Sequence, residues 1–425
     1  MRITVIEETI VKPIEETPHG SLWTPNTDQL FNCLVPSVYF YKPNKTSDFF
    51  SCNVLKYALS KVLVPFYPIA GRLKRNKEGR VEIDCNGEGT LFVEAETDSV
   101  LDDLGDFVPT EEVRQLLPYR MYNPKDISSF PLFSVQVTYF KCGGASVGVL
   151  VEHSMVDGTS GTYFTNSWAR IARGLDIKIL PFVDRTLLRS RDPPTPSFRH
   201  VEFESSPAML SQGRNPFCVA MFKLSCNQIN LLRAQCTDDE SGSVRFSSFE
   251  VIASHVWRCV GKARGVHDDE ELKIQIAIDG RSRLRPQLPS EYFGNAIFNV
   301  KPMATAGELV SKPLIDIVRK MHDVLVRADD EYLKSALDYL EIQPDLLRVL
   351  PPLRCPDMAF TTWCSMPIYE ADFGWGRPTY VGLGNILVEG LAYLLPSPIM
   401  DGSRLLVISL KPDHMVLFKK YVYDI

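Results

Sequence analysis

The 425-residue sequence has no run approaching the roughly 20 apolar residues needed to cross a bilayer. It has no CxxC or other metal-ligand spacing among its ten cysteines either. A spanning helix and a thiolate metal site are thereby excluded, and scattered free thiols suit a reducing compartment. Charge of one sign is also scarce: 46 basic against 52 acidic residues leave a net charge of −6. That gives no electrostatic case for nucleic acid or an anionic membrane as partner, so an acidic substrate needs locally gathered basic side chains. The opening residues, MRITVIEETIVKPIEE, lack the apolar stretch of a secretory signal and carry acids too early for a transit peptide. These absences lead to the expectation of a cytoplasmic protein with small-molecule partners.

What is present is the composition of a folded chain, 45% hydrophobic and 23% charged, at a length where one core usually gives way to two. Strand-like segments at 2–6 and 37–41 precede a helix carrying Val54, Leu55, Ala58, Leu59 and Val62 at helical spacing. FSVQVTYF (133–140) and SVGVLVEH (146–153) flank a Gly-Gly turn and read as a β-hairpin. His153 therefore sits at a strand end, with Asp157 placed to cap a helix that stops at Gly174. Residues 184–216 are rich in Pro, Ser and Arg without periodicity, and mark a crossover linker. Strand and helix patterns resume after it, with helices at 226–236, 248–264 and 309–340, a strand at 405–410 and a last helix from Pro412. The expectation is an α/β (mixed α+β) protein of two comparable domains, 1–183 and 217–425.

Four constellations could carry chemistry. In His153-Ser-Met-Val-Asp157-Gly158, an imidazole suited to proton abstraction near neutrality is separated by three residues from a carboxylate. With seven histidines and 52 acids an HxxxD match arises easily by accident, and a strand-end histidine beside a helix-capping aspartate argues against a relay between them. Asp372-Phe-Gly374-Trp375-Gly376 suggests a tight glycine loop whose acid could pair with an arginine. It lacks the other elements of a kinase. Gly144-Ala-Ser146-Val-Gly148 fits the GxSxG pattern, but it begins a strand inside a hairpin where a hydrolase needs a strand-to-helix elbow. Asp279-Gly-Arg281-Ser-Arg283-Leu284-Arg285 offers guanidinium groups to a phosphate, to Asp157 or to Asp372, and is otherwise a solvated basic loop. Arg245-Phe-Ser247-Ser248 could hold a phosphate at a helix N-terminus, or Ser248 could simply cap that helix.

HSMVDG at 153–158 together with DFGWG at 372–376, about 220 residues apart, resembles the plant BAHD acyltransferase family. LVPFYPIAGRL (63–73), RSRDPPTP (189–196), DGRSRLRPQLP (279–289), YFGNAIF (292–298) and ALDYLEIQPDL (336–346) look like its hydroxycinnamoyltransferase branch. The resemblance implies two chloramphenicol-acetyltransferase-like domains with a channel between them. Acyl-CoA would enter as co-substrate from one side and the acceptor from the other, with no bound cofactor or metal and a monomeric chain. It implies that His153 is the general base, that Asp157 turns away to Arg281, and that Gly158 and the DFGWG loop give structural support. It further implies that Arg245, Ser247, Ser248, Asp279, Arg283 and Leu284 contact the coenzyme, and that Leu34, Val35, Ser37, Tyr39, Cys364 and Ser365 line the acceptor pocket.

The sequence departs from the shikimate and quinate enzymes of that branch. Where they read HTPSVY this chain has LVPSVY, and where they read WVRLP it has WCSMP, so an arginine suited to an acceptor carboxylate is Ser365. Losing a charge-assisted contact of roughly 1.5–3 kcal/mol favours a neutral alcohol, a phenolic or an amine acceptor. The acyl side keeps its hydroxycinnamoyl expectation. Shikimate or quinate transfer, polyamine acylation and a non-catalytic acyl-CoA-binding protein are the alternatives.

Overall fold

Apolar residues that alternate along the strands, or recur every third or fourth position along the helices, assemble two principal sheets, each with helices packed on it. The computed structural model describes residues 1–31, 33–44, 46–119, 126–204, 216–237, 244–346 and 349–425. The first sheet runs Ile3–Val11, Thr90–Thr97, Phe133–Phe140, Ala145–Glu152, Leu34–Tyr41, Tyr380–Leu383. Its pairs are antiparallel apart from Thr90–Thr97 with Phe133–Phe140. The hairpin expected at 133–153 is present, with Val137 opposite Val147 and Phe133 opposite Val151.

The second sheet runs Ile297–Val300, Glu271–Asp279, Met358–Thr362, Leu391–Pro396, Arg404–Leu410, Cys218–Leu224, and Met303–Thr305 also pairs with Glu271–Asp279. It is mixed, the three strands Glu271–Asp279, Met358–Thr362 and Leu391–Pro396 lying parallel. A small third sheet joins Gly20–Leu22, Val81–Cys85 and Arg72–Arg75. The mixed α/β class expected from the sequence is the class observed.

Helix boundaries follow local chemistry. Gly158–Ala172 starts where the Asp157 carboxylate accepts from the Ser160 amide at 2.9 Å, and Gly174 follows it at φ +72°. Ser248–Arg264 opens on a reciprocal capping box between Ser247 and Glu250, and ends at left-handed Gly265. The helices expected between about 309 and 340 are three, Ala306–Ser311, Leu314–Arg327 and Asp330–Glu341, separated at Pro313 and at Asp329, which caps the last.

Two features were not visible in the pattern. Strand Tyr380–Leu383, from late in the chain, completes the edge of the first sheet beside Leu34–Tyr41. The described part of the crossover, up to residue 204, carries no long element but is firmly seated: Asp338 accepts from the amides of Arg191 and Thr195, and fully buried His200 bridges Glu202 and Ser335. Among the described residues, no helix is long and apolar enough to cross a membrane.

Candidate active site

His153 follows directly on strand Ala145–Glu152, and its amide donates to the Cys33 carbonyl at 2.9 Å. Its half-buried ring stacks on Phe31 with centroids 4.2 Å apart and planes 8° from parallel. Nδ1 is shielded from solvent. Burial is the largest influence on the ring and holds its pKa below the ordinary 6.5, although Asp157 and Asn295 pull the other way. The imidazole is therefore neutral at pH 7, the form that can accept a proton.

Asp157 serves other partners. Arg281 reaches it through both terminal nitrogens, Nη1 to Oδ2 at 2.7 Å and Nη2 to Oδ1 at 3.1 Å. The carboxylate also accepts from the amides of Ser160 and Ala296. Burial works to raise its pKa, and Arg281 with the amides outweighs that and holds it below the usual range. Arg281 continues to the Ser160 hydroxyl and to the carbonyls of Tyr292 and Gly294, so this clasp ties the helix after His153 to the second half of the chain.

A second buried clasp lies behind His153 and carried no signal in the sequence. Asp28 and Arg185, both with essentially unexposed side chains, pair at 2.5 Å. Arg185 also donates to the Met155 carbonyl, and Asp28 accepts from the Asn295 backbone and side-chain amides. Burial pushes Asp28 up to about 6 against the pull of Arg185 and Asn295, which still leaves it ionised at neutral pH.

Beside Asp157 lies an apolar cavity. Phe133, Val149, Val151, Val156, Phe164 and Trp363 form much of its wall, with hydroxyls from Ser37, Tyr39, Thr162 and Thr165. Val35, Ser37 and Tyr39 line it together, since alternate residues of strand Leu34–Tyr41 share a face, and Gly158, expected only as structural support, lines it as well. For the same reason Leu34 points to the opposite face, into an outer groove with Ile3, Val93 and Leu150. Cys364 turns back to the Leu394 carbonyl and Ser365 is exposed, while their neighbours Trp363 and Met366 line the cavity.

Of the residues expected at the coenzyme, Ser247, Asp279 and Arg283 line one open groove together with Phe249, Glu250 and Thr362. Ser248 is the first residue of the adjoining helix. Arg245 is separated from them, in a different depression with Asn230 and Arg233. Leu284 is buried in the second core, where an apolar side chain is better placed than against a coenzyme. Thr362 faces this groove and the next residue, Trp363, faces the cavity.

The DFGWG loop stands apart from both. Its Asp372 accepts from the amides of Gly374 and Gly376 at 2.8 and 2.9 Å, in place of the arginine pairing considered from sequence. Both glycines have positive φ, +110° and +107°. Phe373 packs edge-on to Trp168 at 4.7 Å and Trp375 lies 5.1 Å from Phe50, which fastens the loop to the first core. Elsewhere Cys355, Glu389 and His414 bring ligand-type atoms within 4.8 Å of one another, but Glu389 is already neutralised by Arg264 at 2.9 Å.

The Transferase family model matches residues 1–425. The chain belongs to this family, the BAHD acyltransferases. It is 52% identical to a shikimate O-hydroxycinnamoyltransferase of Nicotiana tabacum, over all of both chains. It is 48% identical, again over all of both, to hydroxycinnamoyl-CoA:5-hydroxyanthranilate N-hydroxycinnamoyltransferase HHT4 of Avena sativa. Among solved structures it is similar to vinorine synthase, with a TM-score of 0.74 and 25% identity over 98% of this chain and 96% of that one.

Proposed function

We propose that this protein transfers a hydroxycinnamoyl group from coenzyme A to an acceptor hydroxyl or amine, with His153 as general base. The observation that carries the reading is a neutral imidazole at the strand end while Asp157 is fully engaged by Arg281. The acceptor X–H gives its proton to His153 as X attacks the thioester carbonyl carbon. The C–X bond forms, the C–S bond breaks, and the leaving CoA thiolate takes the proton from the imidazolium. A largely apolar cavity keeps water from the thioester and fixes the partners' geometry.

The cavity's aromatic walls and its row of hydroxyls suit a hydroxylated phenyl ring, in keeping with the names of the hydroxycinnamoyltransferases that the chain resembles. The groove carrying Ser247, Asp279 and Arg283 is the place we assign to the coenzyme. Among the described residues, Asp157 is the only charged group lining the cavity, and it is engaged by Arg281, so a neutral or amine acceptor is favoured over a carboxylate-bearing one. Identity of 52% to a shikimate enzyme favours shikimate as the second reading. We assign residues 1–183 and 217–425 to the two domains and 184–216 to the crossover.

Purified protein with coumaroyl-CoA and a panel of shikimate, quinate, aryl alcohols, phenolic acids, hydroxyanthranilate and polyamines tests the proposal by CoA release. A wide preference for shikimate overturns the acceptor reading. His153→Ala is expected to abolish most turnover with CoA binding kept; undiminished turnover removes His153 as base.

A further inference from the structure

We propose that Cys355, Glu389 and His414 form a zinc site that clasps one end of the second sheet to the helix Pro412–Tyr421. The site takes no part in acyl transfer and stands whether or not His153 is the base. Sheet topology explains why these three residues meet. Strands Met358–Thr362 and Leu391–Pro396 run parallel with Ala359 opposite Leu391, so the segments leading into them, which carry Cys355 and Glu389, lie at the same end of the sheet. Arg404–Leu410 runs antiparallel to Leu391–Pro396, so its exit into the helix that carries His414 reaches that end too. The lack of a metal-ligand spacing among the cysteines led to the exclusion of a thiolate site. That exclusion holds for a local motif and not for ligands gathered by strand pairing from positions 355, 389 and 414.

Their donor atoms all lie within 4.8 Å of one another, and all three residues are half-buried. Zinc bonds of about 2.0–2.3 Å at tetrahedral angles set donors about 3.3–3.8 Å apart, so side-chain movements of about 1 Å close the site. A thiolate, an imidazole and a carboxylate suit zinc, whereas calcium and magnesium prefer oxygen alone. His414 Nδ1 is shielded from solvent and has no protein hydrogen-bond partner. Burial holds the ring below the ordinary 6.5, in the neutral form that ligates a metal. As zinc binds, the Cys355 S–H bond breaks, its proton passes to solvent and the S–Zn bond forms, with water at the fourth position.

Arg264 makes the arrangement rigid. Its unexposed side chain donates from Nη2 to Glu389 Oε1 at 2.9 Å, and from Nη1 to the carbonyls of Pro356 and Asp357, so it fixes Glu389 relative to the segment that follows Cys355. A carboxylate has two oxygens, and one that ligates a metal is commonly held from outside by such a partner. Gly390, at φ +83°, passes so close that an added Cβ would lie 3.0 Å from both Arg264 Nη2 and the Asp357 carbonyl oxygen. The charges around the three ligands are mixed, Arg264 and Lys411 against Glu270, Glu389 and Asp413, so the local field does not expel a cation. Thr362, at the far end of the strand that Cys355 precedes, faces the groove assigned to the coenzyme, which sets the zinc a strand's length from that groove.

The test uses the full chain, stripped with chelator and kept reduced with a phosphine. Cobalt(II) is expected to bind at one equivalent with a thiolate-to-cobalt charge-transfer absorption, and zinc to displace it. Zinc should raise the thermal unfolding midpoint by about 2 °C or more, and magnesium should not. Cys355→Ser is expected to remove the absorption, and His414→Gln to weaken zinc binding by about 10- to 100-fold or more. Absence of saturable binding at micromolar zinc overturns the proposal. So does an absorption that survives Cys355→Ser, which places the metal on other cysteines. Chelation is expected to leave turnover unchanged, and a fall in turnover well below the unfolding midpoint overturns the separation from acyl transfer. The zinc-edge anomalous signal from crystals of the unsubstituted protein decides the location whether or not the variants fold: a peak between Cys355, Glu389 and His414 supports the site, and peaks only elsewhere overturn it.

Discussion

Arg281 closes on Asp157 with both guanidinium nitrogens, at 2.7 and 3.1 Å, and so holds the second residue of the HxxxD pattern away from a relay with the first. The pair is buried and crosses 124 residues of sequence. Removing one partner leaves the other as an uncompensated buried charge, which typically costs about 3–5 kcal/mol. Asp157→Ala is therefore expected to lower the urea unfolding midpoint by a corresponding amount. His153→Ala, which breaks no ion pair, should unfold close to the unsubstituted protein, so the two changes separate stability from catalysis.

The pH dependence has a defined sign. Burial holds the His153 ring below 6.5, and the neutral ring is the base, so kcat/KM falls as acid protonates it. The acid limb is expected below the ordinary histidine range, with activity level through neutrality. A profile of kcat/KM against pH checks this, and an inflection above 6.5 contradicts it.

Ser146 is fully buried inside a paired strand opposite Phe40 and Thr138, and Gly148 in the same motif packs so tightly that an added Cβ would meet the Leu116 carbonyl oxygen at 1.9 Å. The GxSxG match is a packing requirement here. A fluorophosphonate probe is expected to leave the protein unlabelled. Gly148→Ala should reduce soluble yield or thermal stability, since backbone must move to admit the methyl group.

Ser365 is exposed next to Met366, which lines the cavity. An arginine there could extend over the cavity mouth and offer a bidentate site to a carboxylate. Ser365→Arg is expected to raise kcat/KM for shikimate or quinate by about tenfold or more relative to a neutral alcohol, the scale of a charge-assisted contact of roughly 1.5–3 kcal/mol. Equal change for both acceptor classes contradicts the placement.

Local chemistry made much of this legible. The strand end at His153, the cap at Asp157 and the helix Ser248–Arg264 are written in alternation, capping residues and helical spacing, which act within a few residues. The Asp28–Arg185 and Asp28–Asn295 contacts span 157 and 267 residues, and nothing in the flanking sequence marks those side chains as buried. Leu34 failed as a cavity residue because proximity in sequence to Val35 puts it on the other face of the strand. Leu284 in the second core and Arg245 in a separate depression lie off the groove of Ser247, Asp279 and Arg283, because a resemblance names a segment, whereas burial and side-chain direction decide which of its members share a face.

The strand Tyr380–Leu383 beside Leu34–Tyr41 also bears on how the chain is made. During synthesis the first sheet stays unfinished until residues 380–383 have emerged, since they form its last strand. Until then the backbone edge of Leu34–Tyr41, rich in valine and aromatic side chains, is open to pairing with another nascent chain. Fragments ending before residue 380 leave that edge open and are expected to aggregate more readily than the 425-residue chain.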